Sequence, residues 1–320
     1  MSPRPRMSRL RRASLAALVT AAVAVPVSGA AGPADVPAPV PTVSGLPAAA
    51  TPAALTERYA ATRADIGAAA RSAGRHGDTR RAHALRAMAS PGRRFLSFDG
   101  RYGGRTVEVV GDLSTAERIA VLVPGAGVSV DDYWRLRNEA AALHRQLGDP
   151  TAVVAWLGYR APASMSLAEI TTARAEEAAP GLRRFVDALH RLKPAARTSL
   201  VCHSYGSVVC ARAAAGLPVA ALVLTGSPGT GYRTVGDLHA GAEVWAGRSS
   251  GDWIANVPHL SLHLPFVTLG FGTDPVSPEF GAEVFAAGGG THSDYLTAGS
   301  TALANIARIV NGLRPEVPHA

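Results

Sequence analysis

The chain has 320 residues, 47% of them hydrophobic, which is enough to bury the core of one large domain. Its formal net charge of +8 would suit a nucleic-acid-binding protein, but five arginines precede residue 13, and without them the charge falls to +3. Because no later stretch interleaves basic residues with aromatic ones, we expect no nucleic-acid partner.

The amino terminus has the pattern of a secretory signal peptide. An arginine-rich opening leads into an apolar run over residues 13–27, and the small residues after it make Ala30 and Ala31 the predicted cleavage positions. The run is shorter than the roughly 20 residues that span a bilayer, and Pro26 interrupts it. We therefore predict a signal peptide over residues 1–31, a secreted or cell-envelope protein, and no stable membrane span after cleavage.

Two segments precede the main domain. Residues 32–53 are rich in proline and alanine and are predicted to be a linker, because they hold too few large apolar groups to fold. Residues 54–92 are predicted to be a helical extension, with two helices separated at residues 74–78. The apolar faces of these helices are thin, so the sequence leaves open whether they pack against the domain.

Predicted strands alternate with predicted helices over residues 93–314. The strands are expected at residues 93–99, 105–113, 118–123, 151–159, 198–202, 219–226 and 242–247, the first two as an antiparallel pair. The helices are expected at residues 131–147, from a capping box at residues 166–169 to residue 192, at 205–215 and at 301–310. This alternation predicts an α/β domain whose mostly parallel sheet carries helices on both faces.

The stretch CHSYGS, residues 202–207, places Ser204 between a predicted strand and a predicted helix. Functional groups of such sheets gather beyond the carboxyl ends of the strands. The pattern G-x-S-x-G puts a nucleophilic serine on a tight strand-to-helix turn, which needs small residues two before and two after it. Gly206 fits the trailing position, whereas Cys202 occupies the leading one, so an ordinary buried serine is the alternative.

A nucleophilic serine needs a base and a carboxylate that orients the base, and on this kind of fold the chain order is Ser, acid, His. Asp252 follows the predicted strand at residues 242–247, and His292 lies in a glycine-rich loop before the last helix. We therefore predict Ser204, Asp252 and His292 as the catalytic residues. Asp274 is the alternative acid, although the Asp-Pro pair that it begins is also a common turn start.

An oxyanion hole of two backbone N–H groups would complete the site. We expect one N–H from Tyr205, directly after the predicted nucleophile. The other is expected from the loop VPGAGVS, residues 123–129, with Ala126 as the donor and Gly127 as the alternative. Glycines in this loop would let the backbone approach a substrate closely.

We predict neither a cofactor nor a metal. His259 and His263 have the i,i+4 spacing of zinc ligands on a helix. However, Pro258 and the alternating apolar residues around them favour an extended segment, and no third ligand is evident.

The two cysteines, Cys202 and Cys210, flank the predicted nucleophile. One ends a strand and the other lies two turns into the next helix, on elements that we expect to diverge. A disulfide tolerates only a narrow range of distances. We therefore predict two reduced, buried cysteines, although an exported protein could oxidise them.

Seven sequence blocks, in order, resemble a family of α/β-hydrolases of unassigned function that is common in high-GC bacteria. The blocks are GDLSTAERIAVLVPGAG, WLGYRAP, CHSYGS, LTGSPG, VWAGRSSGDWIANVPH, FGTDPVSPEFGAEVF and HSDYLTAGSTALANIARIV. The resemblance runs from about residue 93 to residue 311. It implies the α/β-hydrolase fold and a triad of Ser204, Asp252 and His292, but no settled substrate.

The chain departs from this family at two positions. Cys202 stands where relatives usually carry the leading glycine of the elbow, and Ala126 stands where many carry a small polar residue. The first departure bears on the geometry of the turn around Ser204.

These features together predict a secreted serine hydrolase that acts on carboxylic esters through a covalent acyl-enzyme. Its expected partner is a small-molecule or lipid-like ester. A thioesterase or amidase with the same triad is an alternative, and so is a non-catalytic binding module, because fold does not imply function.

Overall fold

The computed structural model describes residues 37–162, 172–257, 262–264, 267–269 and 271–318. The predicted signal peptide, the first part of the predicted linker and the predicted capping box at residues 166–169 lie outside these residues. Within the described ranges, no helix is both long and apolar enough to cross a membrane.

The described helices and strands follow the predicted alternation. The helices are α1 (Pro52–Arg75), α2 (Thr79–Met88), α3 (Trp134–Leu147), α4 (Ala173–Leu192), α5 (Tyr205–Ala213) and α6 (Thr301–Val310). The strands are β1 (Arg94–Asp99), β2 (Arg105–Gly111), β3 (Arg118–Val123), β4 (Thr151–Leu157), β5 (Arg197–His203), β6 (Ala221–Thr225), β7 (Glu243–Gly247), β8 (Leu262–Leu264), β9 (Val267–Leu269) and β10 (Glu283–Val284).

The main sheet has the strand order β1-β2-β4-β3-β5-β6-β7-β10. Strand β2 pairs antiparallel with both β1 and β4, and the remaining pairs are parallel. This confirms the predicted mostly parallel sheet and its antiparallel edge pair. All seven residues of β4 are buried. A strand covered on both faces reads as a continuous apolar run, as β3 and β4 do.

Helices cover both faces of the sheet, as predicted. Along β3, Ile119 and Val121 belong to one core cluster, together with residues of α4 and α5. Ala120 and Leu122 belong to the other cluster, together with residues of α3 and α6. Successive strand residues point to opposite faces. The carboxyl ends of the parallel strands therefore meet at one edge, between the two helical layers.

Helices α1 and α2 pack against the domain, which settles what their sequence leaves open. Thr51 caps α1 by accepting a hydrogen bond from Ala54 N at 3.2 Å, and Pro52 begins the helix. Ile66 of α1 and Leu85 of α2 are buried in the same core cluster as α3. Burial of such a side chain stabilises the packed state by about 1.5–3 kcal/mol, so a few apolar residues suffice to hold α1 and α2 against the domain.

A second, two-stranded sheet is formed by β8 and β9. His263 lies in β8, so the expectation of an extended segment is confirmed at that position. His259 lies outside the described residues. Among the side chains that the structure describes, no three His, Cys, Asp or Glu residues are grouped as a metal site requires.

Candidate active site

Ser204 lies on a sharp turn between the end of β5 and the start of α5. Its backbone angles are φ 53° and ψ −128°, outside the regions that side-chain-bearing residues usually occupy. The turn is held by hydrogen bonds from Ser204 N to Thr225 O at 2.9 Å and from Ser207 Oγ to Ser204 O at 2.5 Å. Strain of this kind costs about 1–3 kcal/mol and persists where the surroundings fix it. This is the tight strand-to-helix turn that the sequence predicts.

Two glycines allow the backbone to close around Ser204. A Cβ atom on Gly206 would lie 2.5 Å from the carbonyl oxygen of Val123, so only glycine lets α5 begin this close to β3. A Cβ atom on Gly125 would lie 2.6 Å from the Cβ of Ser204. The loop after β3 therefore reaches the serine because glycine stands at that position.

The prediction of two reduced cysteines is wrong, because Cys202 and Cys210 form a disulfide. Their Cα atoms are 6.5 Å apart, within the range that a disulfide bridges. The two elements do not diverge as expected: the sharp turn at Ser204 folds α5 back over the end of β5. The residue two before the serine thereby faces the residue six after it. The leading position of the elbow thus holds a side chain that is bonded to the helix packed over it.

The structure brings Ser204, His292 and Asp252 into one hydrogen-bonded series. His292 Nε2 lies 2.9 Å from Ser204 Oγ. On its other side, His292 Nδ1 lies 2.8 Å from Asp252 Oδ1 and 3.0 Å from Asp252 Oδ2. The three side chains come from the ends of β5 and β7 and from the loop before α6. This is the order and placement that the sequence predicts.

Asp252 is buried, with 2% of its surface exposed, and its oxygens are fully engaged by donors. Burial alone would raise the pKa of its carboxyl. Hydrogen bonds from His292, from the Tyr295 hydroxyl and from Ile254 N outweigh that effect and hold the pKa below its usual value. Asp252 is therefore an anion at neutral pH and can stabilise a positive charge on the imidazole.

Gly226, at the end of β6, makes room for this acid–base pair. A Cβ atom there would lie 2.8 Å from Asp252 Oδ2 and 3.1 Å from His292 Nδ1. Its φ of 53° also favours glycine. The sequence pattern around this residue does not reveal the role, which depends on how β6 and β7 lie side by side.

Asp274, the alternative acid, lies elsewhere in the hydrogen-bond network. Its carboxylate forms a salt bridge with Arg248 and accepts a hydrogen bond from Val276 N at 3.1 Å. His292 Nδ1 contacts Asp252 and not Asp274. Of the two candidate acids, the geometry therefore favours Asp252.

The expected oxyanion donors border Ser204 from two sides. Tyr205, the first residue of α5, directly follows Ser204, so its backbone N–H is the one next to the serine along the chain. On the loop after β3, Gly127 N already donates to Pro162 O at 2.7 Å, which favours Ala126 over Gly127 as the second donor. The Tyr159 hydroxyl donates to Pro124 O at 2.7 Å and so anchors the start of this loop.

Three residues outside the predicted triad and oxyanion hole surround the base. His203 Nε2 lies 2.7 Å from the backbone oxygen of His292, and the two rings are 4.8 Å apart. The Tyr295 hydroxyl donates to Asp252 Oδ2 at 2.6 Å and accepts from Ser249 N at 3.0 Å. The ring of Trp253, which is 43% exposed, lies 4.9 Å from that of His292. Only Trp253, next to the predicted acid, offered a sequence signal.

The chain is similar to uncharacterized mycobacterial proteins. An uncharacterized protein of Mycobacterium tuberculosis strain H37Rv is 32% identical in an alignment of length 256, which covers 68% of this chain and 38% of that protein. An uncharacterized protein of Mycobacterium bovis is 34% identical in an alignment of length 178, which covers 48% of this chain and 66% of that protein. The chain thus matches well under half the length of the first relative.

Two solved structures match the chain at low sequence identity. The crystal structure of esterase PE8 has 18% identity and a TM-score of 0.43, and the match covers 64% of this chain and 97% of that one. An α/β serine hydrolase without lid from Xanthomonas campestris has 17% identity and a TM-score of 0.44, with 70% and 94% covered.

The family resemblance inferred from the sequence blocks is confirmed. The model of the alpha/beta hydrolase family matches residues 99–262, just over half of the chain, and these residues include Ser204 and Asp252. The mostly parallel eight-stranded sheet agrees with this fold. The chain belongs to the alpha/beta hydrolase family.

Proposed function

We propose that this protein is a serine hydrolase that cleaves carboxylic esters, with Ser204 as nucleophile, His292 as general base and Asp252 as the group that orients the base. One observation carries the proposal: Ser204 Oγ, on a strained turn, lies 2.9 Å from an imidazole nitrogen whose ring partner contacts a buried carboxylate. A serine hydroxyl is a weak nucleophile until a base at this distance takes its proton.

In the first half of the reaction, Ser204 Oγ attacks the carbonyl carbon of the ester. His292 Nε2 accepts the hydroxyl proton, and the anionic Asp252 stabilises the imidazolium through Nδ1–H. The oxyanion that forms accepts hydrogen bonds from the N–H groups of Tyr205 and Ala126. When the tetrahedral intermediate collapses, the carbon–alkoxide bond breaks and His292 protonates the leaving alcohol. The acyl group stays on Ser204.

In the second half, water replaces the alcohol. His292 takes a proton from the water, whose oxygen attacks the acyl carbon. The same two N–H groups stabilise the second oxyanion. Collapse of that intermediate releases the carboxylic acid, and the proton returns from His292 to Ser204 Oγ. In this proposal the nucleophile, the base, the acid and both oxyanion donors come from this chain, and the cycle uses water but no cofactor.

Carboxylic esters are the proposed substrates because an alkoxide leaves more easily than an amine. The partner is a small-molecule or lipid-like ester. We also infer export through the predicted signal peptide, and the disulfide between Cys202 and Cys210 supports this, because such bonds persist in oxidising compartments.

Hydrolysis of a panel of p-nitrophenyl esters tests the proposal, with a thioester and an anilide of the same acyl group beside it. Ser204→Ala is expected to lower kcat/KM for esters at least about a thousandfold, since removal of a triad member has effects of that size. Ser90→Ala is the control, because that serine is exposed and follows α2. Turnover that survives in Ser204→Ala, or a wild-type protein that is folded and hydrolyses none of the esters, would contradict the proposal.

A further inference from the structure

A second concave site, which we call the arginine pocket, lies between α4 and the turn joining β1 to β2. Its volume is about 460 Å³. The charged residues that line it are Arg105, Arg160, Arg174, Arg184 and Glu177. Four guanidinium groups thus share one cavity with one carboxylate, and the lining has a formal charge of +3.

The four pocket arginines differ in their partners from several other arginines in the described part of the protein. Arg81, Arg93 and Arg248 each form an ion pair with a carboxylate. None of the four pocket arginines forms an ion pair with another described residue. Like charges gathered around a concave surface raise the local potential and attract a counter-ion. An anion in the pocket would lower the free energy of this arrangement.

The lining of the pocket includes a glycine at a position where the neighbouring atoms would leave room for a side chain. Gly181 lies within α4, where glycine costs about 0.5–1 kcal/mol relative to alanine. A Cβ atom there would have one described neighbour within 4 Å, Trp156 Cζ2 at 4.0 Å, which is ordinary contact. The missing side chain leaves space inside the cavity itself. This is a second, independent feature that fits an occupant.

The donors in the pocket favour phosphate over carboxylate. Guanidinium groups bind both anions through paired N–H donors, and one guanidinium contacts both oxygens of a carboxylate at once. Four guanidinium groups offer more donors and more charge than one carboxylate can use. A phosphate group, with three terminal oxygens and up to two negative charges, matches them better.

The pocket lies at the same edge of the sheet as Ser204. Arg160 follows β4 and Arg105 begins the antiparallel β2, whereas Ser204 follows β5. In the order β2-β4-β3-β5, this separates the two sites by two or three strand spacings, on the order of 10–15 Å. Tyr159, which lines the pocket, also anchors the oxyanion loop through Pro124 O.

We propose that the arginine pocket is a binding site for a phosphate-bearing molecule, separate from the Ser204 site. None of the triad residues lines this pocket, so the proposal stands whether or not Ser204 acts on esters. The phosphate has two natural sources, a soluble small molecule and a phospholipid headgroup, and both present the same oxygens.

Isothermal titration calorimetry with inorganic pyrophosphate tests the soluble source, and sedimentation with phosphatidylglycerol vesicles tests the lipid source. Both are run on the purified chain in 0.15 M NaCl, where weak long-range attraction is largely screened. The test variant is Arg160→Gln with Arg184→Gln, since both side chains are exposed and their removal should not disturb the core. The matched control is Arg86→Gln with Arg191→Gln, which removes the same charge from exposed helix positions outside the pocket.

We expect saturable binding of one probe by the wild-type protein and binding at least about tenfold weaker in the test variant, since hydrogen bonds between charged groups are the strong ones. The control should bind within about twofold of wild type. Gly181→Leu adds a large side chain to the lining of the pocket and should weaken binding to a similar degree. Helix α4 should be kept, because leucine favours a helix more than glycine does. Binding of pyrophosphate would assign the phosphate to a soluble ligand, and binding of the vesicles would assign it to a lipid. Equal binding by the test variant and the control, tighter binding of citrate than of pyrophosphate, or no binding of either probe would overturn the proposal.

Discussion

His203 Nε2 lies 2.7 Å from the backbone carbonyl oxygen of His292, so the residue directly before the serine holds the loop that carries the base. The two rings also pack against each other, with centroids 4.8 Å apart. This contact joins the end of β5 to the loop before α6. We therefore expect the distance between Ser204 Oγ and His292 Nε2 to depend on His203 as well as on the two residues that share the proton.

Replacing His203 with alanine is expected to lower kcat about five- to tenfold with little change in KM. The variant loses one hydrogen bond worth about 1 kcal/mol, and the loop with His292 is held less firmly. His203→Gln should retain most of the activity, because its amide can donate to the same carbonyl. Steady-state kinetics on an ester substrate make the comparison. Wild-type kcat in His203→Ala would show that the contact does not position the base.

His203 should also make the protein less stable in acid. Desolvation of its ring, with a smaller effect of the neighbouring His292, lowers the pKa from 6.5 to about 4. The unfolded chain therefore binds a proton between pH 6.5 and pH 4 that the folded chain does not. The free energy of unfolding must fall as pH falls through that window. The melting temperature should fall more between pH 7 and pH 4.5 for the wild-type protein than for His203→Gln. Equal falls in the two proteins would contradict this role of His203.

Asp252 and Asp274 are distinguished by a pair of matched substitutions. Asp252→Asn is expected to lower kcat by about 10³–10⁴, because the amide cannot orient and stabilise the imidazole as the carboxylate does. Asp274→Asn removes a salt bridge with Arg248 and should lower the melting temperature while kcat stays within a few fold of wild type. If Asp274→Asn proves the more damaging of the two for kcat, the assignment of the acid is wrong.

Tyr295 should act only through Asp252. Its hydroxyl donates to Asp252 Oδ2 at 2.6 Å, and hydrogen bonds to charged groups contribute about 1.5–3 kcal/mol. Tyr295→Phe is therefore expected to lower kcat at least about tenfold. In an Asp252→Asn background the same substitution should have little further effect, since neighbouring groups are not additive. Additive losses in this double-mutant cycle would show that Tyr295 acts in another way.

Much of the fold and the main site could be predicted because the rules behind them are local. Buried parallel strands such as β3 and β4 read as apolar runs, and groups at the carboxyl ends of such strands meet at one edge. The order of Ser204, Asp252 and His292 along the chain was therefore informative. The roles of His203 and Tyr295 could not be predicted in this way, because they depend on which loops lie over one another. No periodic pattern in one sequence records that.

The disulfide was missed for a related reason. Sequence spacing does not give the angle at which α5 leaves the turn at Ser204, and that angle brings Cys202 and Cys210 together. Closing a loop this short contributes about 2–3 kcal/mol in the chain-entropy account. Cys202→Ser with Cys210→Ser should lower the free energy of unfolding in urea by about that amount. Alkylation of both cysteines in denatured protein that was never reduced would show that the bond is absent.

The account depends most on Ser204 being an activated nucleophile. The most direct measurement is labelling of the purified protein with a fluorescent fluorophosphonate, which forms a covalent bond with such a serine, with Ser204→Ala and Ser90→Ala in parallel. We predict labelling of wild type and Ser90→Ala, located by peptide mass spectrometry at Ser204, and no labelling of Ser204→Ala. Equal labelling of all three proteins would place the reactive group elsewhere and contradict the account.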